Sequence, residues 1–264
     1  MADMLRIFRA EMKRYYMIQW SNLGDTFSWF VFTFMMFAAI VVILNGISGG
    51  DFGDQARLLV MIGWITWMIA GDCMAEIPEE VTEEAETGTL EQLCLLPVPL
   101  AFILGVRSVA YFLGIGLRGI LAAIVLIFFI APLPFAPALG VLFFLSLAGA
   151  YGLGYLFAGL ALIFKRVGAM TSLVFSLLIL LTGAFVGLES LGWIFDILRL
   201  AFPLTWGISL MRQVVGGNVT LTSLLQNGEL VGLILHSTIY LILGLAVFTW
   251  GYHSARSKGT LAHY

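Results

Sequence analysis

The sequence predicts an all-α integral membrane protein with six transmembrane helices, and three observations lead there. Of its 264 residues, 61 % are hydrophobic and only 11 % are charged, with a mean hydropathy of +1.01; soluble domains carry about twice that charged share. Apolar runs of about 18 residues or more, the length a helix needs to cross hydrocarbon, recur along the chain. The cations are divided unevenly between the ends of those runs, as expected where cytoplasmic loops hold the excess of Lys and Arg.

The spans fall at roughly 27–46, 57–76, 106–130, 138–163, 169–188 and 230–251. Asn45-Gly46 and the polar loop Ser48-Gly49-Gly50-Asp51 close the first, and Pro132 and Pro134 close the third. Short loops leave no room for a second folded unit, so residues 1–264 read as one transmembrane domain. The first apolar run begins late and is long enough to be a true span rather than a cleavable signal.

Six spans place both termini on one side. Arg6, Arg9, Lys13, Arg14, Arg107, Lys165, Arg166, Arg256 and Lys258 share that side, against Arg57, Arg199 and Arg212 on the other, with Arg118 inside a span. Both termini are therefore expected in the cytoplasm, with the chain in the plasma membrane, the inner membrane of a bacterium. Residues 4–16 are amphipathic: Met4, Leu5, Phe8, Met12, Tyr15 and Tyr16 oppose Arg6, Arg9 and Lys13. Such a helix rests in the interface with its basic side among headgroups.

The densest charge lies between spans two and three, at Glu83, Glu84, Glu86 and Glu91, with Glu79 and Glu80 just upstream. Carboxylates are too costly in hydrocarbon for this stretch to lie there. Gly88 permits a sharp turn, and Thr89 with Gln92 fits a capping box. Leu90, Leu93 and Cys94 then share one apolar face of a short helix that Pro97 ends. A helix of this kind docks on a partner or on the membrane surface.

Little in the spans offers chemistry. Arg118 and Arg107 lie eleven residues apart on nearly the same face, and Asp72 and Glu76 lie four apart in span two. A buried arginine needs a partner, and Asp72 is nearest in depth; the alternative is that these cations line the pathway and attract an anionic group. The small residues Ala148, Gly152, Gly154, Ala158 and Gly159 of span four, with Gly183 and Gly187 of span five, allow close packing within the subunit or across a dimer. Trp64 and Trp67, with Phe175 and Phe185, could line an apolar or sugar-stacking route. His236 reads as a packing residue. Three scattered histidines, Cys73 and Cys94 make no metal site, and no phosphate-binding Gly-rich loop is present, so no enzyme activity, cofactor or nucleotide is expected in this chain. The net charge of −3 is concentrated in the acidic stretch and implies no nucleic-acid partner.

Glu86-x-Gly88-Thr89-Leu90-Glu91-x-Leu93 followed by Pro97-Val98 closely resembles the loop after the second membrane helix of type-2 ABC exporter permeases. Where those permeases often carry a basic residue before the Gly-Thr pair, this chain has Ala85. A second stretch, Phe202-Pro203-Leu204-Thr205-Trp206 through Arg212 and on to Gly216-Gly217, resembles the segment between their fifth and sixth spans. The resemblance implies a cytoplasmic coupling helix that fits a groove on a separate ATP-binding subunit, and short re-entrant helices, marked by Pro203, Thr205 and Arg212, on the outer side. Glu86, Gly88, Thr89, Leu90, Glu91 and Leu93 would then carry the coupling, with Leu90 and Leu93 as the docking face. ATP and Mg2+ would be bound by the partner. A homodimer, or a pairing with a similar permease, would enclose the pathway among membrane lipids. With short outer loops, the expected substrate is lipophilic or lipid-linked, such as a drug or a lipid. Polysaccharide or glycan export is the alternative within the class, and a non-transporting scaffold that recruits a cytoplasmic protein through the acidic loop is the alternative outside it.

Overall fold

The computed structural model describes residues 2–21, 23–50, 53–95, 98–113, 137–164, 168–185, 192–217 and 219–258. Arg118 lies outside the described residues. The regular structure among them is helical throughout: α1 Ala2–Ser21, α2 Leu23–Ile47, α3 Asp54–Glu86, α4 Leu90–Cys94, α5 Leu100–Leu113, α6 Pro137–Phe164, α7 Gly168–Leu181, α8 Trp193–Ala201, α9 Pro203–Val215, α10 Leu221–Gln226 and α11 Glu229–Ser257. Four of these, α2, α3, α6 and α11, are long and apolar enough to cross a membrane. The described parts of α5 and α7 are shorter apolar helices.

Two elements differ from expectation. The 33-residue α3 does not end with span two but continues through the acidic stretch to Glu86. At about 1.5 Å per residue it is roughly 50 Å long, against a hydrocarbon core of about 30 Å, so its charged end stands in water. Glu79, Glu80, Glu83, Glu84 and Glu86 lie on a helix rather than in a loop, since the turns continue past Pro78. The second difference is at span five. α7 stops at Leu181, and Gly183 takes a left-handed turn at φ 67° short of the predicted boundary.

The core is assembled by backbone approach. α6 packs along α11, with Gly152 against the backbone of Tyr240 and Leu241 and Gly159 against that of Val247 and Phe248. From the other side, a Cβ on Gly244 would strike the carbonyl of Gly152, and one on Gly251 the carbonyl of Gly159. Two glycines seven residues apart on each helix thus form one contact line within the subunit, the intrasubunit option left open by composition. Lipid offers apolar side chains as good a home as another helix does, so close van der Waals contact has to supply the association.

α9 is buried almost along its whole length, wedged among α3, α6 and α11. Pro203 starts it as a first-turn proline, where the missing N–H costs nothing. Gly149 accepts the Pro203 ring, and Gly207 accepts the side chain of Ser146. α2 is the opposite case: most of its surface is exposed, including Phe32, Met35 and Val42, so it faces lipid or another subunit.

The glycine line makes a measurable demand. Gly244→Val should lower the melting midpoint in lipid nanodiscs by an amount equivalent to about 1–3 kcal/mol or more, since the colliding atom is backbone. Gly140→Ala, where an added Cβ meets nothing within 4 Å, should leave the midpoint unchanged.

Candidate functional site

The acidic end of α3 is built up with α4, α5 and α1. Gly88, at φ 72°, turns the chain from α3 into α4, a conformation that glycine adopts without a side-chain penalty. Thr89 occupies the N-cap of α4 but does not close the predicted capping box: its backbone is helical, and its hydroxyl makes no cap bond. The hydroxyl instead bonds the carboxylate of Glu84 and lies 2.8 Å from that of Thr87. A carboxylate one turn before the end of α3 has captured the group that was expected to cap α4.

The apolar face of α4 points inward. Leu90 is buried among Ile77, Val81, Ala85, Leu100 and Leu104, with Leu93 half-buried beside it. Within this chain, the two leucines expected to dock on a partner hold α4 onto α3 and α5. The groups turned to water are Glu86, Gly88, Gln92 and Leu95, the last 85 % exposed. The side chain of Glu91 lies outside the described residues. Leu95 had no place in the predicted face because it falls one residue beyond the i, i+3, i+4 set.

Behind α4 sits a charged clasp. Arg107 of α5, its side chain only 8 % exposed, donates to Glu80 and Glu84 of α3 at 2.6 Å each and to Glu11 of α1 at 3.1 Å. Arg14 lies 3.6–4.0 Å from the same three carboxylates. Arg107 thus joins α1 to α3 and, through Glu84 and Thr89, to the start of α4. Asp72 is not among its described partners; it is half-buried three turns of helix before Glu84. The pairing of Asp72 with Arg118 falls outside the described residues, while α3 stays helical past residue 76, which carries Glu80 and Glu84 up beside Arg107. The spacing of those two, four residues apart on a continuing helix, was the signal available in the sequence; Glu11 gave none.

The membrane side of the site lies between α3 and α7. Phe185 stacks on Trp64 with centroids 5.5 Å apart, Trp64 lies 5.3 Å from Trp67, and Trp67 stacks on Phe175 at 4.5 Å. Gly63 and Gly71 permit this approach, since a Cβ on either would run into Ala184 or into the Phe175 ring. At one end of the ladder, buried Arg212 donates to the carbonyl of Ala184 at 2.9 Å and to that of Leu59 at 3.3 Å. Thr205 donates to the carbonyl of Leu181 at 3.2 Å. Arg212 and Thr205 therefore satisfy the carbonyls of Ala184 and Leu181 where α7 ends, as buried backbone leaving a helix requires. His236 packs edge-on against Tyr240, with ring centroids 5.1 Å apart.

The clasp predicts a graded response. Arg107→Met leaves Glu11, Glu80 and Glu84 facing one another and should cost about 3–5 kcal/mol, the usual penalty for breaking a buried charge pair. Glu80→Gln, which leaves two carboxylates on the guanidinium, should cost clearly less in the same thermal melt.

No curated protein matches the chain. A profile of the family described as CcmB protein matches residues 28–186, more than half of the sequence. Members are integral inner-membrane proteins and form the transmembrane subunit of an ABC-type heme exporter, with ATP hydrolysis in a separate partner chain. This finding overturns the assignment to the drug, lipid or glycan export type, whose short motifs are shared with other ABC permeases and do not report the cargo. The chain is an ABC permease and belongs to the CcmB family.

Proposed function

We propose that this chain carries heme across the inner membrane, out of the cytoplasm, as the transmembrane part of an exporter driven by a separate ATP-binding subunit. Membership of the CcmB family is the observation that carries this reading. Residues 1–264 act as one permease domain of six spans, paired with a second copy or a similar permease, with both termini cytoplasmic. ATP and Mg2+ belong to the partner, and this chain holds no cofactor of its own.

α4 is the coupling helix in this scheme. Glu86, Gly88, Gln92 and Leu95 form its outer surface and would meet the ATP-binding subunit. Leu90, Leu93 and Thr89 work from the other side, fixing α4 to α3 so that a push on it is not absorbed locally. The exposed leucine supplies the apolar anchor, and the acidic residues beside it supply charge that a basic groove rim would complement.

The transport reading is tested in inside-out membrane vesicles, where export appears as uptake. ATP should drive heme accumulation several-fold above ADP when both subunits are present, and uptake at the ADP level would refute the reading. The coupling surface has its own test. Leu95→Glu should abolish co-purification of the ATP-binding subunit while leaving the permease's melting midpoint intact. Leu90→Glu should lower that midpoint, because it places a charge in the apolar cluster.

A further inference from the structure

We infer that the aromatic ladder between α3 and α7 is the closed form of a binding slot for a planar, apolar-faced ligand bearing carboxylates at its edge. The inference deepens the heme-export reading, on which it rests, by assigning the residues that would hold the cargo.

The first observation is geometric. Phe185, Trp64, Trp67 and Phe175 follow one another as a run of four rings, with interplanar angles of 24°, 31° and 13° between neighbours. Two of the three contacts are stacked, so ring faces rather than ring edges meet across the α3–α7 boundary. The two inner rings, the tryptophans, come from α3, and the two outer ones, the phenylalanines, come from α7 and the turn after it, so each end of the run is a contact between the two elements. Moving α3 away from α7 by about one ring thickness would open parallel aromatic walls, the arrangement that stacks on a flat macrocycle.

The second observation is independent of ring packing. The indole N–H groups of Trp64 and Trp67 are buried and find no hydrogen-bond partner among the described residues. The residues are 2 % and 8 % exposed. The hydroxyl of Thr182, just past the end of α7, is likewise buried without a described partner. A buried indole usually bonds something, and a donor left unmatched is costly, most of all away from water. Phenylalanine would fill the same space without that cost. Donors kept dry and unmatched at one seam are explained by a visitor that accepts from them.

The third observation sets the chemistry of the visitor's edge. Arg212 stands where the ladder ends and holds the carbonyl of Ala184, the residue next to Phe185. The Gly63 backbone is pressed against Ala184 at the same point. Parting α3 from α7 would loosen Ala184 and turn part of the guanidinium toward the slot, where a bidentate carboxylate is its natural partner. Stacking faces, N–H donors along the wall and a guanidinium at one end together describe a porphyrin dicarboxylate better than a lipid, which offers no plane to stack.

The test uses the permease with its ATP-binding subunit in lipid nanodiscs, titrated with hemin and read by the Soret absorbance against empty nanodiscs. Trp64→Phe and Trp67→Phe keep a ring and remove one donor each; both should weaken hemin binding about three- to tenfold, the loss of one hydrogen bond. Trp64→Leu with Trp67→Leu should reduce binding to the level of empty nanodiscs. Hemin dimethyl ester should bind the wild type at least tenfold more weakly than hemin. The phenylalanine variants preserve packing, so melting midpoints equal to wild type will show that the fold is intact. Wild-type affinity in both phenylalanine variants and in the double leucine variant, with vesicle uptake of heme intact, would overturn the slot and leave the export reading standing. A wild-type complex that neither binds nor transports hemin would overturn both.

Discussion

Arg107 is the group around which the acidic end of α3 and the helices packed on it are arranged. A guanidinium at 8 % exposure has neither water nor lipid headgroups to solvate it, so it is tolerated only because three carboxylates converge on it. That requirement dictates local structure. α3 must remain helical past the hydrocarbon to bring Glu80 and Glu84 within reach, and α1 must lie close enough for Glu11 to complete the set. Once Glu84 is committed to Arg107, it also holds Thr89, and the start of α4 follows. The positions of α1, α3, α4 and α5 at this end are thus coupled through one cation.

Within the membrane a different constraint takes over. Apolar side chains gain little by leaving lipid for protein, and the helices meet where glycine removes the obstacle to backbone contact. Gly152 and Gly159 against Gly244 and Gly251, and Gly63 and Gly71 against the α7 segment, are the two seams so made. The first joins four backbone positions with little side-chain freedom. The second is lined by flat rings that can slide, and it runs between one helix tied to the clasp and another that ends early. The contrast gives the chain a firm half, α6 with α11, and a half able to open, α3 against α7.

Hydropathy made α2, α3, α6 and α11 legible in the sequence, because a span is a compositional feature that needs no knowledge of its neighbours. It was less informative where burial and charge coincide. The acidic stretch read as a loop since carboxylates avoid hydrocarbon, yet a helix that leaves the bilayer carries them equally well. Periodicity put the apolar face of α4 on Leu90, Leu93 and Cys94, but a period shows that a face is covered and not by what; Leu90 and Leu93 are covered by α3 and α5. Arg107 announced its need for a partner, while the identity of that partner depended on α1, which no local pattern relates to α5. The two short motifs identified an ABC permease and misassigned its cargo, because coupling machinery is shared where cargo differs.

The continuity of α3 has a mechanical consequence. The residues that meet the clasp and those that form the aromatic ladder lie on a single helix, about 30 Å apart between Trp64 and Glu84 at the rise of an α-helix. A rod of that kind needs no chain of side-chain rearrangements to carry a displacement from water into the bilayer: tilting one end moves the other. Its stiffness is uneven, however, because Pro78 removes one backbone hydrogen bond between the two regions. A displacement applied to the acidic end of α3 would therefore reach Trp64 and Trp67 through a helix with a soft point at Pro78.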